Sequence, residues 1–262
     1  MSTCLLELEG VSLVFNRGKE NECVALDDIN LTISAGEYVT IWGCNGAGKT
    51  SLIRAIADNK AISSGRVLLN GKDITKMSAN ERAKFIGIVT QNTSDMIAGS
   101  LTLEEHLKLG MLRGSNHSLK VAISPSERRQ FESQLETLSL GLGKKLKEIV
   151  MGLSGGEKQA AILLMATANK PSVLLLDEHT ASLDLEKTKS IERLTDSLIR
   201  DNNITTLWIT HNKDQAAHYG DRILFMRKGR IIKDLKPSEK RVMSEIDLAK
   251  SLEDFQMEEI SR

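Results

Sequence analysis

Residues 43 to 50 read Gly43-Cys44-Asn45-Gly46-Ala47-Gly48-Lys49-Thr50, a GxxxxGK[ST] string, and no other stretch of the chain restricts its fold as tightly. Before it, 37–42 is a short apolar strand candidate. After it, Ser51 leads into Leu52, Ile53, Ala55 and Ile56 at helical spacing. Strand, glycine loop and helix in that order let successive backbone N–H groups turn inward as an anion nest at the positive end of a helix. In that arrangement Lys49 neutralises outer phosphates and Thr50 ligates Mg²⁺, so Gly43, Asn45, Gly46, Ala47, Gly48, Lys49, Thr50 and Ser51 form a candidate phosphate site. The plainer alternative is a glycine turn with an incidental lysine.

Length and composition narrow the remaining choices. A chain of 262 residues is long enough for one core with an appended subdomain. Lys plus Arg and Asp plus Glu each total 35, so there is no overall basic field to hold nucleic acid, and none is expected as a partner. Aromatic residues make up only 3%, which leaves little for base stacking. Cys4, Cys23 and Cys44 form no CxxC pair and are odd in number, which argues against a disulfide framework or zinc knuckle and suits a reducing compartment. The start, MSTCLLELEG, is acidic where a signal peptide is basic, and no apolar run approaches the roughly 20 residues of a membrane span. A cytoplasmic chain is expected.

Period-two patterns predict strands over 5–8, 11–15, 30–33 and 37–42, broken by a polar turn over 16–22. A strand over 66–69 ends at Asn70-Gly71, and another is expected over 86–90. Ser78 with Glu81, and Thr102 with Glu105, read as capping boxes that start helices. From about 92 to 150 strand signals give way to helical periods, notably 102–111 and 126–138, which predicts an inserted helical subdomain. Within it Met96 and Ile97 are expected to be exposed in a polar stretch. Strands return over 173–176 and alternate with helices, which predicts a mainly parallel sheet, and 222–226 begins a possible hairpin through Gly229. Beyond Lys236 the tail is charge-rich, with Ile246, Leu248, Leu252 and Phe255 able to line one face of a helix.

Two further strings carry chemistry. Val173-Leu-Leu-Leu-Asp177-Glu178 puts two acids at the end of a run too apolar for a surface strand. Beside a phosphate loop, an acid there holds Mg²⁺ and the next carboxylate acts as general base; alone it would be a helix cap. Leu153-Ser154-Gly155-Gly156-Glu157 is a third capping box, yet two glycines in a first turn cost about 1 kcal/mol each, which suggests close backbone approach to something, and a second phosphate is one such thing.

The phosphate loop, VLLLDE, LSGGE, Ala181-Ser182-Leu183-Asp184 and Thr210-His211 occur in an order and spacing that resemble the nucleotide-binding subunits of ATP-binding cassette (ABC) transporters. The resemblance covers residues 5 to about 235. It implies a P-loop NTPase fold of ABC type: a mainly parallel α/β core, an N-terminal antiparallel β subdomain and the inserted helical subdomain, over 4–236, with a C-terminal helical tail over 237–262. It implies ATP and Mg²⁺ as ligands. Phe15 corresponds to the aromatic that stacks on adenine, although it also sits in phase with Val11 and Leu13 as a core residue would. Gln91 corresponds to the glutamine that contacts Mg²⁺ and senses the membrane partner, Asp177 to the Mg²⁺-associated acid, Glu178 to the catalytic base, Asp184 to the residue linking two sites, and His211 to the γ-phosphate sensor. Ser154, Gly155 and Gly156 correspond to the signature that closes on ATP held by a second subunit.

Three positions depart from the family pattern: Glu157 replaces the usual glutamine, His179 the proline common after the two acids, and Cys44 an unreactive loop residue. The Cys44 thiol is either shifted by the helix start and Lys49 or turned away from them. The implied partners are a second ATPase subunit, membrane permease subunits and a separate substrate-binding protein, with the chain peripheral on the inner face of the membrane. The motifs 177–184 and 208–216 are also similar to ATPases of bacterial importers sometimes associated with aromatic amino acids. A soluble or accessory ABC ATPase, of iron-sulfur assembly type, and a lipoprotein-exporter ATPase are the rival readings.

Overall fold

In a computed structural model of the protein, residues 4–58, 62–113, 123–136 and 141–260 are described. The chain opens with β1 (Cys4–Phe15) and β2 (Cys23–Ser34), paired antiparallel. Two separate strands were expected over 5–8 and 11–15, but β1 is continuous. The apolar phase changes because a bulge between Leu8 and Val11, with Gly10 at φ +59°, adds the residue that lets Leu6, Leu8, Val11 and Leu13 all reach the core. The short strand expected over 30–33 is the end of the longer β2.

Next come β3 (Tyr38–Trp42), α1 (Lys49–Ala57), β4 (Ser64–Leu69) and β5 (Lys72–Asp73). The first sheet has the order β2-β1-β4-β5 and is antiparallel throughout. Past α2 (Ala79–Arg82) and β6 (Ile86–Val89), the helical stretch holds α3 (Leu103–Leu112), α4 (Pro125–Glu136) and α5 (Gly155–Thr167). Leu138, at the expected end of the helix over 126–138, lies outside the described residues. The remaining elements are β7 (Val173–Asp177), α6 (Leu185–Asp201), β8 (Thr205–Ile209), α7 (Lys213–His218), β9 (Arg222–Arg227), β10 (Arg230–Leu235), α8 (Pro237–Val242) and α9 (Glu245–Ile260).

The second sheet runs β10-β9-β3-β8-β7-β6, parallel except for β10, which returns from β9 through Lys228-Gly229. Every residue of β3, β7 and β8 is buried, as a parallel sheet covered on both faces requires. One face packs with α1 on the antiparallel sheet, through Leu6, Leu26, Ile41, Leu52 and Leu175. The other packs on the helical stretch through Leu103, Ile162, Leu174 and Trp208.

Two apolar expectations change here. Met96 and Ile97 are half-buried against the second of these cores, because the turn Thr93–Met96 curls inward and the Met96 Sδ accepts from the Thr90 N–H at 3.3 Å. In the tail, Leu248, Leu252 and Phe255 dock on Trp42 and Phe225, but Ile246 is 80% exposed. Two residues are about 200° around a helix, so Ile246 and Leu248 cannot share a face.

Buried polar groups give the layers their alignment. Arg82 is wholly buried and donates to four carbonyls, those of Ala55 and Ile56 at the end of α1 (2.8 and 2.7 Å) and of Thr75 and Met77 (2.8 and 3.1 Å). Its charge sits at the negative end of the α1 dipole. His179 is also buried, against the Trp208 ring at 5.0 Å. The Thr195 hydroxyl donates to Ile191 O at 2.7 Å, so it accepts from His179 Nε2 at 3.0 Å, leaving Nδ1 as an unpaired acceptor. Burial pulls the His179 pKa down to about 3.

A neutral buried histidine makes stability pH-dependent. Between its unfolded value near 6.5 and its folded value only the unfolded chain gains a proton, so stability is full above about pH 6.5 and falls by about 1.4 kcal/mol per pH unit below it. His179→Phe, which keeps an aromatic ring on Trp208, is expected to flatten this acid limb in denaturant titrations between pH 7 and 5. An unchanged slope would show that His179 is not the group responsible.

Candidate functional site

Strand register brings the motifs together. Ile41 pairs with Ile209, Asp177 with Ile209, and Val89 with Leu176, so β3, β8, β7 and β6 end at one edge of the sheet. The glycine loop, the two acids, Thr210-His211 and Gln91 therefore emerge side by side. Crevices at the carboxyl ends of parallel strands are where open α/β sheets bind ligands.

The loop itself is built by its glycines. Gly46 and Gly48 have φ of +82° and +99°. A Cβ on Gly43 would lie 2.4 Å from Met226 O, and one on Gly48 2.5 Å from Ala25 O, so the backbone passes where no side chain fits. Gly48 is the N-cap of α1, and neither a side-chain cap nor a first-turn acid serves this helix start. Its amides are thus presented to an anion. Lys49 is buried, its Nζ donating to Gly43 O at 2.7 Å and Cys44 O at 2.9 Å. Cys44 is half-buried.

Asp177 ends β7 and accepts a hydrogen bond from the Thr50 side chain. Burial raises its pKa, assisted by the charge of Glu178 and opposed by Thr50 and Lys49. Glu178 has φ +48°, the left-handed region that costs a residue with a Cβ about 1–2 kcal/mol. Bonds from Glu178 N to Ile209 O (3.1 Å) and from Ala181 N to Glu178 O (3.0 Å) hold that conformation. Its carboxylate contacts His211 Nε2. An open cleft of about 600 Å³ adjoins this pair, lined by Thr180, Leu183 and Asn212 among others and by no residue of the glycine loop.

The other predicted residues take distinct places. Phe15, opposite Cys23 at the end of β1, is 44% exposed, which removes the core-packing alternative. Gln91 is exposed just beyond β6. Asp184 caps α6, accepting from Lys187 N at 3.0 Å and pairing with Lys187 Nζ. Ser154 caps α5 with Glu157 closing the box, and the neighbours of Gly155 and Gly156 are Leu183 and Lys187 of the same chain. Glu157 also pairs with Lys145 at 2.8 Å. Burial would raise its pKa, but Lys145 and Ser154 outweigh that and hold it below the usual range. Sequence reasoning missed Lys145, because nothing in the intervening residues fixes how the chain folds back. It also missed Thr180 and Gln215, which bond to each other and line the same cleft as Glu178 and His211; only their nearness to the two motifs signalled them.

The chain is similar to known proteins over most of its length. A family model described as ABC transporter matches residues 26–181. A tyrosine transport ATP-binding protein of Clostridioides difficile is 34% identical over 95% of this chain and 99% of its own length. A spermidine/putrescine import ATP-binding protein of Haemophilus influenzae is 35% identical over 82% of this chain, which spans about half (54%) of that relative. Among solved structures, the dimeric post-hydrolysis state of the ATP-binding cassette MJ0796, bound to ADP and Pi, superposes with a TM-score of 0.75 at 26% identity, covering 89% of this chain and 99% of that one. The cbiO1 structure from Clostridium perfringens gives 0.75 at 26% identity, covering 93% of each chain.

Lys49→Ala removes the cation from the glycine loop. Charge-assisted hydrogen bonds contribute about 1.5–3 kcal/mol, so affinity for a fluorescent ATP analogue should fall about 10- to 100-fold with the fold intact by circular dichroism. Unaltered affinity would mean that the loop lysine does not hold phosphate.

Proposed function

The chain belongs to the ABC transporter ATP-binding family, and from that premise we propose that it hydrolyses ATP as one of two paired subunits, powering a separate membrane permease that imports a small solute such as an amino acid. The observation that carries the catalytic part is the meeting, at one sheet edge, of an uncapped helix start, the Thr50–Asp177 bond and the Glu178–His211 contact. Import is supported by relatives named for tyrosine transport and for spermidine/putrescine and methionine import, and these leave the soluble and exporter readings without support. The ATPase region is proposed as 4–236, with a helical subdomain over about 92–150, and 237–262 as its tail.

Phosphate oxygens are received by the amides of the glycine loop and the α1 start, with Lys49 exchanging its carbonyl partners for them. Mg²⁺ fits this donor set: Thr50 and Asp177 offer hard oxygens in direct contact, and a dication relieves the burial and the Glu178 charge that raise Asp177. When bound, Mg²⁺ neutralises developing phosphate charge. Gln91, level with the next step beyond Asp177, faces the same edge. Glu178 takes the proton of the attacking water, and His211, in contact with it, orients towards the γ-phosphate. Phe15 offers its exposed ring to the adenine.

Pairing is supported by a second helix start with two glycines in its first turn, that of α5, on a different segment from the phosphate loop. Twofold symmetry places Ser154, Gly155 and Gly156 of one copy on the nucleotide of the other, and Asp184 between the two sites. Lys145 answers the added charge of Glu157, so that acid does not repel the partner's phosphate. Among the described residues no helix is long and apolar enough to cross a membrane, and the proposed location is peripheral, on the inner face.

Glu178→Gln is expected to keep ATP affinity while lowering turnover by about 100-fold or more, as loss of a general base does, and to elute as a dimer with ATP in size-exclusion chromatography. Wild-type turnover would remove Glu178 from its role, and a monomer at high concentration would count against the shared site. Lys145→Met should slow ATP hydrolysis several-fold, by about the 1 kcal/mol of an unmasked charge at a half-exposed pair, and Lys145→Met with Glu157→Gln should restore it. A double variant as slow as the single one would show that Lys145 acts by another route.

A further inference from the structure

We propose that Gln215 is a positioning residue for ATP hydrolysis, its carboxamide fixing the loop that carries Glu178 against the loop that carries His211. This rests on the roles given above to those two side chains. A carboxamide brings two N–H donors and one carbonyl acceptor, and here all are used. Gln215 Oε1 accepts from the Thr210 hydroxyl, and Nε2 donates to Thr180 Oγ1 at 3.2 Å and to Glu192 Oε1 at 2.5 Å. Thr180 lies two residues beyond Glu178, and Thr210 immediately precedes His211. Thr210 Oγ1 also accepts from Asn212 N at 3.0 Å, so both ends of the His211 loop are tied to the junction.

Thr180, Glu192, Thr210 and Gln215 are all buried, so solvent does not replace a lost partner. Neither a hydroxyl nor a carboxylate supplies the same set, because each lacks a second donor. The charged and titratable groups lining the two clefts that Gln215 borders are Glu192, Lys189 and Arg193 of α6, Lys213, Asp214 and His218 of α7, and Glu178 and His211 on the loops, while α9 adds Ala249. Tyr219 OH makes a long contact, 3.5 Å, with the other Glu192 oxygen. Glu192 is therefore the carboxylate that Gln215 must satisfy. Moving one loop relative to the other would separate Glu178 from His211 without touching the phosphate loop, which is why turnover and nucleotide affinity should part company.

The experiment uses the full chain and compares wild type, Gln215→Glu and the exchanged pair Gln215→Glu with Glu192→Gln, in steady-state ATP hydrolysis from pH 6 to 9 and in titrations with a fluorescent ATP analogue. At pH 8 Gln215→Glu sets two carboxylates face to face; kcat should drop about 10- to 100-fold while analogue affinity stays within about twofold. Relative to wild type at the same pH, the deficit should shrink towards pH 6 as the two acids take up a shared proton. The exchanged pair, with amide again opposite acid, should recover kcat to within a few-fold of wild type. The proposal is overturned if Gln215→Glu turns over at the wild-type rate throughout. It is equally overturned if kcat and affinity fall together and neither low pH nor the exchange relieves them, since that marks a packing role. Glu178→Gln run alongside separates the two claims: wild-type turnover there defeats the reading of the site, whereas a dead Glu178→Gln beside an active Gln215→Glu defeats only the junction.

Discussion

Parallel pairing of β7 with β8, Asp177 level with Ile209, is the constraint on which the remainder of the site depends. The neighbouring strands are locked to the same pair, Ile41 to Ile209 and Val89 to Leu176, so the loops after β3, β6, β7 and β8 leave the sheet at one height. These strands are buried on both faces, and a slip of one residue would turn Asp177 into the apolar layers. The ladder is therefore fixed by hydrophobic packing. The acids stand where it ends, Asp177 in its last pair and Glu178 one residue beyond.

Charges at such an edge are costly unless paired, and the chain pairs most of them with its own groups. Lys49 lies on two carbonyls, Asp177 accepts from Thr50, Glu178 meets His211, Asp184 meets Lys187, and Glu157 meets Lys145. The α1 start differs: its first turn has no side-chain cap, while α5 is closed by Ser154 and Glu157. The electrostatic demand left at the edge is thus for an anion. The same place carries backbone strain, since Glu178 holds a left-handed conformation braced by its bonds to Ile209 and Ala181.

Much of this was legible in sequence because it is local. The glycine loop, the capping boxes at Ser78, Thr102 and Ser154, and the acids ending an apolar run each carry their signal within a few residues, and the structure contains each element. What was misread depends on the third dimension. The period of β1 reads as two strands because a bulge at Gly10 breaks it. Met96 and Ile97 were expected in solvent because nothing nearby in sequence shows the core they fold onto. Arg82, bound to carbonyls at the far end of α1, and Lys145, opposite Glu157, answer to partners remote in the chain. Charges paired in this way leave no periodic trace, since their partners are backbone oxygens or side chains from unrelated elements.

The same reasoning gives the C-terminal tail a physical part in the site. Lys240 of α8 donates to the carbonyls of Ala216, Tyr219 and Gly220, at 3.1, 2.7 and 2.7 Å, at the end of α7, and Lys213 at its start pairs with Glu253 of α9. Burial pulls the Lys240 pKa down to about 8, yet the three carbonyls it serves are the negative end of α7, so its charged form is the one that fits. Helix α7 begins at the residue after Asn212, carries Gln215, and so takes its position from the tail at both ends and from the junction with Glu192 between them. A helix of six residues has too few internal bonds to hold its own place. His211 is accordingly held from α7 as well as by Glu178, and in the reading proposed above the tail helps to set the distance between those two side chains.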